Sequence, residues 1–114
     1  MVKFPRTDTT DEQDLSAAAL NMVTSFTKQF RLDQVIVHAS VAITETITIT
    51  VDTKKGADYD TVLAEVALIA ETDFVFRPQG ESIFVKGDQI RVQITDGNST
   101  GEVFVTIKTS ELGG

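Results

Sequence analysis

Strict alternation of apolar and polar residues, repeated in segments dense with Val, Ile and Thr, most narrows what this chain can become. Thr46-Ile47-Thr48-Ile49-Thr50-Val51 places Ile47, Ile49 and Val51 on one face and three threonines on the other. Successive side chains of a strand point to opposite sides of the pleat, so this pattern reads as a half-buried strand. Residues 89–95 repeat it with Ile90, Val92 and Ile94 inward, and residues 102–108 with Val103, Val105 and Ile107 inward. The intervening Asp96-Gly97-Asn98-Ser99-Thr100-Gly101 is rich in residues that tolerate positive φ, which predicts that these two strands pair as a hairpin. Residues 32–40 (Val35, Val37 and Ala39 on one face), 72–77 and 82–85 read as further strands, the last running into the turn Lys86-Gly87-Asp88. Residues 19–28 add another, alternating at Leu20, Met22, Thr24 and Phe26. Seven or eight short strands with polar turns predict an all-β fold, a single antiparallel β-sandwich of jelly-roll type over residues 20–114.

Two segments depart from the pattern. Residues 57–71 carry Tyr59, Val62, Leu63, Val66, Ile69 and Ala70 near helical spacing. Local propensity there favours helix and the surrounding alternation favours strand; strand over about residues 60–69 is the reading taken, because propensity yields to tertiary context. In residues 8–19, Thr9 or Thr10 with Glu12 or Gln13 three positions on forms a capping box ahead of Leu15-Ser16-Ala17-Ala18-Ala19. Residues 1–19 are therefore expected as a separate N-terminal arm or short helix. Phe4, Pro5 and Leu15 are its apolar anchors, too few among Asp and Thr to offset the entropy of ordering without a partner.

The chain has 114 residues, no Cys and one His. A chain of this size buries roughly two-thirds of its surface on folding, enough for a core without staples. Disulfides and thiolate metal clusters are excluded, a histidine pair is impossible within one chain, and no metal or cofactor is expected. No apolar run approaches the roughly 20 residues of a membrane-crossing helix. The acids Asp8, Asp11, Glu12 and Asp14 are the wrong charge for a leader, so no membrane association is expected. Net charge is −7, and residues 58–114 hold ten Asp/Glu against four Lys/Arg. Residues 58–73 contain five carboxylates and no base, a surface that repels phosphate backbones and favours a basic partner, so nucleic acid is not an expected ligand.

Candidate chemistry is sparse. His38 lies mid-strand with no nucleophile motif around it, and reads as a satisfied or solvent-facing histidine. Asp52, Asp58 and Asp60 flank Gly56 without EF-hand spacing and read as loop formers. Phe74, Phe76 and Phe84 read as core. The remaining candidates for ligand contact are the loops of residues 52–59 and 96–101, with Tyr59, Asp58 and Asp60 foremost.

The runs Phe30-Arg31-Leu32-Asp33-Gln34-Val35-Ile36-Val37-His38-Ala39-Ser40, Glu45-Thr46-Ile47-Thr48-Ile49-Thr50-Val51-Asp52, Gly56-Ala57-Asp58-Tyr59-Asp60-Thr61-Val62-Leu63 and Gly87-Asp88-Gln89-Ile90-Arg91-Val92 resemble a group of small β-rich proteins encoded by tailed bacteriophages. The resemblance covers residues 26–107 and is a pattern of strand starts and turns. It implies a structural part of a virion with no enzymatic activity, foremost a capsid decoration or cement protein. Such a protein is made in the bacterial host cytoplasm, resides in the virion, forms a homo-oligomer and contacts other virion proteins, the major capsid protein first. A carbohydrate- or receptor-binding module of a tail or fibre, and a neck or tail joining protein, are the alternatives. The group's pattern has a turn between its first two strands, where this chain has Ala39-Ser40-Val41-Ala42, without Gly, Pro or Asn.

Overall fold

A computed structural model describes residues 6–15, 17–26, 28–53, 55–56, 60–78, 83–94 and 101–111, the side chains of residues 6 and 7 excepted. Within them run β1 (Arg6–Asp14), β2 (Leu20–Ser25), β3 (Phe30–Ile43), β4 (Thr46–Asp52), β5 (Thr61–Ala67), β6 (Glu71–Phe76), β7 (Ile83–Phe84), β8 (Gln89–Ile94) and β9 (Glu102–Glu111). Two antiparallel sheets result. The first has the order β1-β9-β3-β6, with β7 beside the start of β3; the second has the order β2-β8-β4-β5. The chain enters the first sheet at β1, crosses to the second at β2 and returns at β3, and the interleaved order this produces is that of a jelly roll.

The core lies between the sheets and is supplied by the alternating residues. Ile47, Ile49, Ile90, Val92, Ile94, Val35, Val37, Val103, Val105 and Ile107 are all fully buried, which confirms the inward faces read from the sequence. Phe74, Phe76 and Phe84 pack against this core from partly buried positions. Phe30, also fully buried, stacks on Phe26 at 3.7 Å between ring centroids and meets Phe84 at 5.4 Å. Residues 61–67 are the strand β5, so tertiary context overrides the helical spacing there.

Strand partners differ from expectation in two places. β8 and β9 do not form a hairpin: β8 pairs with β2 and β4 in one sheet, β9 with β1 and β3 in the other. Period-2 alternation fixes which face of a strand is buried, but it is the same whether the next strand lies beside it or across the core. β3 likewise runs without a break through Ala39-Ser40-Val41-Ala42 to Ile43 before crossing to β4 in the other sheet. The absence of turn residues there marks a continuous strand.

The N-terminal segment is the larger correction. Residues 6–14 are neither an arm nor a helix but an edge strand, in register with β9 from Arg6↔Ser110 to Asp14↔Glu102. The helical tendency survives as a single turn, in which the amides of Ala17 and Ala18 donate to the Asp14 carbonyl at 3.0 and 3.2 Å. β1 contains no apolar residue, and a strand with charges along it is a usual guard against edge-to-edge pairing with other chains. Leu15, expected as an attachment anchor, is 3% exposed and belongs to the core, its amide donating to the Gly101 carbonyl at 3.0 Å. Gly101 has φ +98°, and a Cβ there would sit 2.5 Å from Val41 Cγ2, so only glycine fits this crossing. Phe4 and Pro5 lie outside the described residues.

Two local energetic costs are measurable. Thr24 faces the core with its hydroxyl lacking a hydrogen-bond partner among the described residues. Thr24→Val should therefore raise the unfolding free energy by about 1 kcal/mol, the lower end of the cost of a buried unsatisfied group, as read by urea denaturation. On β1 and β9, Asp14 stands directly opposite Glu102. A hydrogen bond with Glu12, the charge of Glu12, burial and the charge of Asp14 together hold the Glu102 carboxyl above its usual range. A raised folded pKa favours the protonated group, so this stability is present below the unfolded pKa and is lost as pH rises through the folded one. Glu102→Gln should raise the thermal midpoint at neutral pH, and the gain should shrink as pH falls through the raised folded pKa toward the ordinary carboxylate value and vanish below it.

Candidate functional site

The two edges of the sandwich are built differently. On one side lies β1, with its acids and no apolar residue; on the other, β5 closes the second sheet and β6 the first. The chain between β5 and β6 is the short turn Leu68-Ile69-Ala70. Leu68 is buried at 3% exposure, whereas Ile69 is 71% exposed. The backbone fixes this division. The Leu68 amide donates to the Glu45 carbonyl at 2.9 Å, the Ala70 amide donates to Thr44 Oγ1 at 3.1 Å, and Ala70 sits in the left-handed region at φ +52°. That conformation is costly for a residue with a Cβ, and the two anchoring hydrogen bonds hold it. Ile69 consequently projects into solvent at the tip of the edge.

Further exposed apolar side chains and the acids of the base-free stretch lie along the two strands this turn joins. Val62 on β5 is 56% exposed and Val75 on β6 46%, while Asp60, Glu65, Glu71 and Asp73 are exposed acids on the same strands or at their ends. Asp73 is held by His38 across β3 and β6, with Nδ1 2.5 Å from Oδ1, and accepts from the Thr72 hydroxyl at 2.8 Å. The hydrogen bond from His38 and then that from Thr72 hold the Asp73 carboxyl below its usual range, with desolvation opposing them and the charge of His38 adding the least. This contribution is present above the unfolded pKa and is lost as pH falls through the folded value. Both partners are exposed, so water and salt screen the pair.

The other sequence candidates fall as follows. Asp60 Oδ1 accepts from the Thr53 amide at 2.8 Å, Gly56 takes φ +115°, and Asp52 Oδ2 accepts from Arg91 Nε at 2.7 Å; these residues close the loop after β4 and brace the outer face of the second sheet. Asp58 and Tyr59 lie outside the described residues, as does the loop of residues 96–100. Among the described residues no group of three or more His, Asp or Glu is placed to hold a metal ion. Ile69 was missed as a site residue because its spacing among Val62, Val66 and Ala70 reads as one face of a helix. The acidic run around it was the legible signal.

No protein-family model matches the sequence, and a search of curated proteins finds no match. Similar solved structures include the CBM22-1–GH10 modules of Clostridium thermocellum xylanase 10B complexed with xylohexaose, at 13% identity and a TM-score of 0.43 over 79% of this chain and 18% of that one. The Drosophila NLP core, solved for pentamer formation and histone binding, matches at 13% identity and TM-score 0.49 over 90% of this chain and 96% of that one. A structure of infectious bursal disease virus, Gx strain, matches at 12% identity and TM-score 0.41 over 98% of this chain and 31% of that one. The scores are low, and the jelly-roll assignment rests on the chain's own strand order.

Proposed function

We propose that this chain is a non-enzymatic structural protein of a tailed-bacteriophage particle, a decoration protein that docks in repeated copies on the capsid shell through its β5–β6 edge. The observation that carries the reading is Ile69, 71% exposed at a turn whose backbone strain and anchoring hydrogen bonds hold it outward. An apolar side chain kept in water at a conformational cost is the kind of feature a protein contact exploits. The acids flanking it, in a stretch with no base between residues 58 and 73, select a partner surface of opposite sign, and a basic patch repeated over a shell lattice fits. Many copies of one weak contact also suit a domain this small, since linked contacts multiply modest affinity. His38, the chain's single imidazole, is engaged with Asp73 in the same region, consistent with a structural role.

The test adds purified protein to particles that lack it and measures what co-sediments. Saturation at a fixed ratio to the shell protein, weakened by added salt, is expected; no sedimentation at any salt would refute docking.

A further inference from the structure

The opposite end of the first sheet carries a second feature, independent of the docking edge. On its outer face, across β1, β9 and β3, a depression of about 500 Å³ is lined by Asp8, Lys108, Gln34, Asp33 and Thr109. That volume falls within the range of small-molecule sites, about 300–1,000 Å³. Asp8, Lys108 and Gln34 form one row, Asp8↔Lys108 on one side and Gln34↔Lys108 on the other. Asp33 is the extra residue where the β3–β9 register shifts between Leu32 and Gln34. Its carboxylate is fixed from both sides, accepting from Arg31 Nε at 2.8 Å and from the Ser110 hydroxyl at 2.5 Å.

The hydrogen-bonding capacity in this row is uncommitted. Asp8 and Lys108 face each other across neighbouring strands yet form no ion pair, and Gln34 makes no side-chain hydrogen bond among the described residues. The outer face of the second sheet is the contrast: there Arg91 donates to Asp52 and Asn21, and Gln89 donates to Ser25. The depression therefore presents a cationic donor, an amide that both donates and accepts, and two carboxylate acceptors, one of them already balanced by Arg31. Formal charges cancel, so neither an anion nor a cation is favoured. A ligand with adjacent hydroxyls, each able to donate to Asp8 or Asp33 and accept from Lys108 or Gln34, satisfies the set. We infer that this depression binds a neutral saccharide. β1 and β6 lie at opposite edges of the first sheet, so a protein docked on a shell through its β5–β6 edge leaves the depression facing solvent.

The experiment titrates the full chain, isotopically labelled, with neutral oligosaccharides of glucose, galactose, mannose and N-acetylglucosamine, and with citrate and spermidine as charged comparators. Expected are saturable amide shifts at Asp8, Gln34 and Lys108 with at least one neutral sugar and none with the comparators. Gln34→Ala and Lys108→Met, the latter keeping the aliphatic stem, should each weaken binding about tenfold while leaving the rest of the spectrum unchanged. Absence of saturable shifts with every neutral sugar at about 10 mM, well above a millimolar dissociation constant, would overturn the inference. So would equal response to citrate or spermidine, or shifts confined to the loop around Tyr59. None of these results depends on whether the protein docks on a shell.

Discussion

Phe30→Ala should lower the unfolding free energy by about 3–5 kcal/mol, the range for removing a buried aromatic ring. Phe30 opens β3, is 0% exposed, and lies between Phe26 and Phe84. It also sits where β3 changes partners, opposite Phe84 of β7 and Glu111 of β9. Its ring fills one end of the space between the sheets and seals β7 onto the rest. Loss of the ring removes its transfer free energy and leaves a cavity that rigid strands on both sides cannot collapse to fill. Val75→Ala, on an exposed face, should change stability by no more than about 0.5 kcal/mol. Urea denaturation of the two variants checks the contrast. A loss below about 1 kcal/mol for Phe30→Ala would remove this ring from the core.

Ile69→Asp should weaken attachment to particles by at least about 30-fold, corresponding to the roughly 2 kcal/mol of a residue central to an interface. The substitution replaces the most exposed large apolar side chain described with a further charge in an acidic stretch, so lost burial and lost fit act together. Folding should be little affected, because Ile69 makes no contribution to the core and Leu68, the buried member of the turn, is untouched. Val23→Asp, exposed on the outer face of the second sheet, should leave attachment unchanged. Co-sedimentation with particles, alongside a thermal melt of each variant, separates loss of contact from loss of fold.

The inward faces were legible because alternation needs only the sequence: Ile47, Ile49 and Val51, or Val103, Val105 and Ile107, point one way wherever their strands pair. Strand partners were not. Residues 96–101 carry good hairpin chemistry, yet β8 and β9 part there into different sheets, since the seven-residue connection between them also suffices to cross a core about 10 Å thick. β1 was illegible for another reason. None of its described side chains is fully buried, so its place is set by backbone pairing with β9, for which Arg-Thr-Asp-Thr-Thr-Asp-Glu-Gln-Asp gives no pattern. Of the candidate site, the run of acids was visible but the direction of Ile69 was not. That depends on the left-handed backbone of Ala70, a conformation that alanine in a sequence does not announce.

The most direct measurement is the position of this chain in an electron cryomicroscopy reconstruction of the intact particle. Density for the sandwich is expected at repeated positions on the shell, with the β5–β6 turn and Ile69 against a basic surface of the shell protein and the β1 edge away from it. Density with the β1 edge or the outer face of the second sheet against the shell would contradict the assigned contact, and absence of the chain from the particle would contradict the function.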